Sequence, residues 1–231
     1  MHLLNIDLGE LAGEDEALYA HAHLANIACG GHAGDEATMR RAVALCLRHG
    51  TAVGAHPSYP DPEHFGRRLV AMSEHALRTT VSAQCARLLA VTRDAGVDVR
   101  FVKAHGALYH AARDEAAVAA ALLEGALAAL GPDIMFLGPP RGELRAAVAR
   151  AGLPFLREGF ADRATRPDGT LVPRGEAGAL ILEPSLAAAH AAALASSGEV
   201  DTICVHGDTP GAVAIARAVR EALDARPVQA G

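Results

Sequence analysis

Strands and helices alternate along the whole of this chain, and that alternation restricts the fold to a largely parallel sheet flanked by helices. Runs of β character fall at LLNIDL (3–8), LANIAC (24–29), TAVGAH (51–56), VRFVKAH (99–105), IMFLG (134–138), PFLREGF (154–160), ALILE (179–183) and DTICVH (201–206). Between them the start and stop signals of helices recur. Asp35 predicts the cap of a helix over 36–49 ending at Gly50, Ser73 that of a helix over 74–95 ending at Gly96, and Asp114 that of a helix over 115–130 ending at Gly131. Further helices are expected over 141–151, 185–197 and 210–225.

Polar residues choose between a closed barrel and an open, doubly wound sheet. Asp7, His32, His56, Lys103, His105, Glu158, Asp162, His206 and Asp208 stand at or just past strand C-terminal ends, spread over six strands. A closed barrel brings such residues round one mouth, whereas an open sheet gathers only those near its switch point, so closure is expected.

At 231 residues and 51% hydrophobic content, the chain suits one domain over 1–225 with a frayed tail at 226–231. Cys29, Cys46, Cys85 and Cys204 lie far apart with no CxxC pair, which fits reduced thiols and a cytoplasmic location. The start MHLLNIDLGE lacks the basic region and unbroken apolar stretch of a secretory signal. The apolar stretches near 116–130 and 186–195 are interrupted by Glu124 and His190 and are too short for a bilayer span, so no membrane role is expected. A net charge of -6 with 3% aromatics and no Trp argues against a nucleic-acid partner, leaving a small molecule.

Six segments can carry chemistry. In NIDLGE, Asn5, Asp7 and Glu10 crowd the end of the first strand, where Asp7 can bind a metal, act as general base or simply cap a turn. ANIACGGHAGDE holds Asn26, His32 and Asp35 around glycines that allow close approach of a ligand; Asp35 also reads as a helix cap, and Cys29 as a small buried residue. GAHPSYPDPEHFGRR delivers His56 from a strand, then Asp61, His64, Arg67 and Arg68 on a proline-stiffened loop whose guanidinium forks suit a carboxylate or phosphate; at least one arginine there reads as solvated. In VKAHGALYH, Lys103 and His105 share one strand face, and a buried ammonium calls for a partner such as Asp7 or Glu158. REGFADR adds Glu158, Asp162 and Arg163; CVHGDTP adds His206 and Asp208, with Thr209 as a possible helix cap and Pro210 in its first turn. The patterns GxxxxGK[ST], GxGxxG after the first strand, HExxH and GxSxG are absent, so no nucleotide site is visible.

Taken in order, these segments resemble those of the LamB/YcsF family, whose usual pattern is NxDLGE, ANIACGxHAGD, GAHPxYPD with FGRR, VKPHGALY, FADR and CVHGDTP. The likeness covers nearly the whole chain. Departures are Leu3 for an aspartate, Gly31 for a phenylalanine, Ser58 for a glycine, Ala104 for a proline, His110 for an asparagine and Ala164-Thr165 for a tyrosine, of which Gly31 and Ser58 bear on substrate fit.

The resemblance implies an irregular seven-stranded (β/α) barrel similar to that of the glycoside hydrolase/deacetylase superfamily. It implies the A component's part in ATP-dependent 5-oxoprolinase, which opens 5-oxoproline to L-glutamate as ATP becomes ADP and phosphate, together with subunits B and C. The nucleotide site is left open between this chain and those partners. The leading expectation is that Asp7 or His206 activates water, Lys103 and His105 stabilise the oxyanion with Glu158 in the same catalytic group, and Arg67 or Arg68 holds the substrate carboxylate. Asn5, Asn26, His32, His56, Asp162 and Asp208 are expected around the substrate. The alternative is a stand-alone metal-dependent amidohydrolase or deacetylase with Asp7, His32 and His56 as ligands. A third reading is a non-enzymatic lactam-binding or scaffold protein, against which so many ionisable groups at one mouth speak.

Overall fold

The computed structural model describes residues 2–166 and 170–225; the tail expected at 226–231 lies outside the described residues. Strands β1 (Leu3–Leu8), β2 (Leu24–Ala28), β3 (Ala52–His56), β4 (Val99–Lys103), β5 (Met135–Gly138), β6 (Phe155–Phe160) and β7 (Thr202–His206) form a parallel barrel in sequence order, closed by β7 against β1. Around it lie α1 (Ala17–His21), α2 (Glu36–His49), α3 (Glu74–Asp94), α4 (Gly106–Asp114), α5 (Ala116–Leu130), α6 (Glu143–Arg150), α7 (Pro184–Ser196) and α8 (Ala212–Asp224). No helix among the described residues is long and apolar enough to cross a membrane.

Alternation along each strand divides two environments. Outward residues such as Leu4, Ile6, Ile27, Val53, Val102, Phe136, Ile203 and Val205 pack beneath the helices in the main core. Inward residues stack in layers, as barrel interiors do. Leu3, Leu24, Ala52, Phe101, Met135 and Leu156 plug the lower end. Phe101 fills that space because β3 presents Gly54 beside it, where an added Cβ would fall 2.0 Å from the ring. The β3–β4 pairing shifts register at Val53/Gly54, next to this contact. Above the plug the interior turns polar, with Asn5, Asn26, Lys103, Glu158 and Asp7 all buried.

Several local expectations are corrected. Residues 179–183 do not form a strand; Leu180 makes only an isolated antiparallel bridge to Arg163. β7 already pairs with both β6 and β1, so no free ladder edge remains for another strand. The helix expected over 115–130 is preceded by α4, and Asp114 does not cap it: Glu115 is the extended N-cap, while the Asp114 carboxylate accepts from Arg113. Thr209 is not a helix cap either, because α8 begins at Ala212 behind Gly211 and the Thr209 hydroxyl donates to Asp162. Asp35 and Ser73 do cap α2 and α3, accepting from the backbone N–H of Thr38 and Ala76.

Candidate active site

The upper end of the barrel opens into a cavity of about 360 Å³, a size suited to a small molecule. Asp7, Lys103, His105, Tyr109, Phe160 and His206 line its floor, and Arg67, His110, Arg113, Arg163 and Arg174 stand around its wall.

At the centre, the Lys103 ammonium donates to Asp7 Oδ1 at 2.8 Å, lies 2.8 Å from Glu158 Oε1, and approaches Asn5 Oδ1 at 3.3 Å and Cys204 Sγ at 3.0 Å. Burial works against the charge on Lys103, but Asp7 and the other acidic neighbours outweigh it and hold its pKa well above the ordinary value. Burial likewise pushes the Asp7 carboxyl up, and His56, Lys103 and His206 overcome that push, so Asp7 stays ionised. Asn26 donates to both Asn5 Oδ1 and Asp7 Oδ1, fixing the carboxylate's orientation. A charged ammonium is thus held in the buried barrel interior by side chains from β1, β6 and β7, at the cavity floor.

Beside it, the Asp162 carboxylate receives the His206 backbone N–H at 3.1 Å, faces His206 Nδ1 at 2.9 Å and accepts the Thr209 hydroxyl at 2.6 Å. An ionised carboxylate only accepts, so His206 Nδ1 carries a hydrogen, which leaves Nε2 as the ring nitrogen not engaged by Asp162, 4.0 Å from Asp7 Oδ2. Burial pushes Asp162 up, but the His206 contacts and Thr209 hold it down at about 2. A folded value below the ordinary 3.8 means that Asp162 stabilises the fold above that pH and loses its contribution as pH falls through the folded value. The stabilisation is about 2 kcal/mol. Urea unfolding of wild type and Asp162→Asn should therefore differ by this order at neutral pH and converge as pH drops toward 2. A gap independent of pH over that window would contradict the assignment.

A buried histidine cluster, of which His105 borders the cavity, gathers around Glu10. Glu10 Oε1 lies 2.9 Å from His32 Nε2, 3.2 Å from His105 Nδ1 and 3.8 Å from His56 Nε2. His32 and His105 stack with ring centroids 3.6 Å apart. Gly9, at φ 72°, turns the chain so that Glu10 reaches back over the barrel, and the Glu14 carboxylate accepts the Gly9 N–H and the Tyr19 hydroxyl to brace that turn. The Glu14 carboxyl is itself raised by burial.

The remaining expected residues divide. Arg67 lines the cavity and pairs with Asp208, which also faces Arg174 at 3.3 Å, so Asp208 serves to position guanidinium groups. Arg68 is exposed and does not line the cavity. His105 has its Nε2–H directed to the Phe65 carbonyl at 2.9 Å. Gly31 and Ser58 are buried in mutual contact rather than at the cavity: a Cβ on Gly31 would meet Ser58 Oγ at 2.4 Å and Gln84 Oε1 at 2.3 Å. Of the departures from the family pattern, Ala104 and His110 border the cavity. Arg113 and Arg174 are functional candidates that the sequence does not announce; both lie outside the segments ending strands, one at the end of α4 and the other in the long loop after β6. Arg163, buried, donates to the Val172 carbonyl at 2.6 Å, and burial together with Arg174 brings its pKa to about 10.

Known proteins resemble this chain in sequence and in fold. The LamB/YcsF family profile matches residues 3–231. A protein from Methylococcus capsulatus, named as the A component of 5-oxoprolinase, is 44% identical over 97% of this chain and 93% of its own length. One of the same name from Chloroflexus aggregans is 44% identical over 96% and 94%. Among solved structures, a lactam utilization protein from Thermus thermophilus superposes with a TM-score of 0.88 at 34% identity, covering 96% of both chains. A family 4 carbohydrate esterase from Streptomyces lividans shares the fold, with a TM-score of 0.50 at 13% identity over 96% of this chain and 87% of that one. The chain belongs to the LamB/YcsF family.

Proposed function

We propose that this chain is the A component of a 5-oxoprolinase, a hydrolase that opens the cyclic amide of 5-oxoproline to L-glutamate in a complex with B and C subunits, coupled to ATP hydrolysis. The observation that carries the reading is the pairing of a buried, charged Lys103 at the cavity floor with a wall of arginines above it. A small acid that must be held by its carboxylate and attacked at a carbonyl needs that division of labour. The relatives named for 5-oxoprolinase support the substrate, and their being named as one component of several supports the complex.

In this reading Arg67, Arg113, Arg163 or Arg174 grips the carboxylate and the ring carbonyl points down to the Lys103 ammonium. His206 Nε2 takes a proton from water as its oxygen adds to the ring carbon, with Asp162 stabilising the imidazolium that forms. Collapse breaks the carbon–nitrogen bond, the electron pair stays on nitrogen, and the proton from His206 completes the amine. His105, whose Nε2–H is engaged by Phe65, is assigned no oxyanion contact, and Arg68 is assigned no substrate contact. An unstrained lactam is a poor electrophile; transfer of a phosphoryl group from ATP to its amide oxygen would make the ring carbon attackable, ring opening would then leave that group on the new carboxyl as an acyl phosphate, and a second water would release it as phosphate, steps assigned to the whole complex.

The test is glutamate release from 5-oxoproline and ATP by this chain alone and with its candidate B and C subunits. Turnover confined to the three-part mixture supports the reading. No turnover in any mixture of folded subunits would sink it and leave another cyclic or N-acyl amide as the substrate class.

A further inference from the structure

We infer that Glu10, His56 and His105 form a binding site for a divalent transition-metal cation, with zinc the best match to their ligand set. The site rests on where hydrogens can be. His56 Nδ1 is 2.8 Å from the Lys103 backbone carbonyl, and His105 Nε2 is 2.9 Å from the Phe65 carbonyl. A carbonyl only accepts, so each of these nitrogens carries the ring hydrogen. In the neutral rings, the lone pairs of His56 Nε2 and His105 Nδ1 then face each other at 3.0 Å, with the anionic oxygen of Glu10 converging on both. Three electron-pair donors in buried contact require a cation or a shared proton between them.

The spacing favours a metal. Ligands on a tetrahedral ion with bonds near 2.0–2.1 Å lie about 3.3 Å from one another. Here the separations are 3.0, 3.2 and 3.8 Å. Both rings also show the outer support usual for metal-bound histidine, a backbone carbonyl on the remote N–H. His32 Nε2, 2.9 Å from Glu10 Oε1, acts as a hydrogen-bond donor that orients the carboxylate. Three protein ligands leave a fourth position open, and His105 borders the cavity, which supplies the path of entry.

The set differs from Asp7, His32 and His56. Asp7 Oδ1 is engaged by Lys103 and Asn26, and its other oxygen lies 3.3 Å from His56 Nε2, which makes Asp7 a neighbour of the site. In a second convergence of donors, Asp7, Cys204 and His206, two of the three already contact the Lys103 ammonium, which a metal would have to displace.

The site stands whether or not the substrate is a lactam, and its test needs no turnover. The chain, stripped with chelator and reloaded with zinc, should retain a single equivalent through gel filtration. Cobalt(II) in its place should give the intense visible absorption of a four-coordinate ion. X-ray absorption of the zinc form should fit imidazole nitrogen and carboxylate oxygen at about 2.0–2.1 Å; sulfur at about 2.3 Å would place the metal at Cys204 and overturn the assignment. Glu10→Gln and His105→Asn should each weaken binding by at least about 100-fold, more than the loss of an outer partner costs, while His110→Ala should bind as the unaltered chain does. Folded, unaltered protein that retains no zinc and gives no cobalt absorption would overturn the site and assign the His56–His105 contact to a shared proton.

Discussion

Replacing Lys103 by methionine should lower the unfolding free energy by about 3–5 kcal/mol and cut turnover by at least about 100-fold. The stability loss comes less from the missing attraction than from what is left behind. Asp7 and Glu158 are each about 2% exposed, and without the ammonium two carboxylates would face one buried space. Burial pushes the Asp7 carboxyl up, and Lys103 is one of the groups holding it down. The effect should therefore ease as pH falls and the Asp7 carboxyl takes up a proton. A Lys103→Met/Glu158→Gln double variant should recover part of the loss, since it removes one of the stranded charges. Urea unfolding decides the matter: a deficit below about 1 kcal/mol for the single variant would mean that water reaches the pair and that the barrel interior is not dry.

His206→Ala should reduce kcat by about 10²–10⁴ while leaving KM close to its starting value, the signature of a group that moves a proton in the transition state. Asp162→Asn should act in the same direction, because an amide can donate to Nδ1 and turn the imidazole to the wrong tautomer. Steady-state kinetics of the complete complex provide the check. A fall in kcat of less than tenfold for His206→Ala would transfer the base to Asp7, which lies 4.0 Å away. A rise in KM alone would make His206 a binding group.

Much of this was legible in the sequence, for a physical reason. In a closed parallel barrel a polar residue that ends an apolar strand has one place to go, so Asp7, His56, Lys103, His105 and His206 converge although they come from β1, β3, β4 and β7. Glu10 is harder to place: it lies past its strand, and only the left-handed turn at Gly9 returns it to the histidines. Arg113 and Arg174 carry no strand-end signal, and α4 has no side-chain cap to announce it. The segment 179–183 shows the opposite error. An apolar run reports that residues are buried, while a strand also requires a neighbour with unpaired backbone groups, and closure of the barrel removes that neighbour.

The seam between β1 and β7 also sets an order in time. Leu3 pairs with Thr202 and Asp7 with His206, so the two sides of the proposed active site are about as remote in sequence as this chain allows. A ribosome delivers the last strand long after the first, and until it docks, β1 has an open edge and Asp7 has no His206 beside it. Contacts of such long range slow folding. The nascent chain thus passes through a stage in which most of the barrel is written but the proposed site does not yet exist, and its exposed first strand is what a chaperone, or another unfinished copy, would meet.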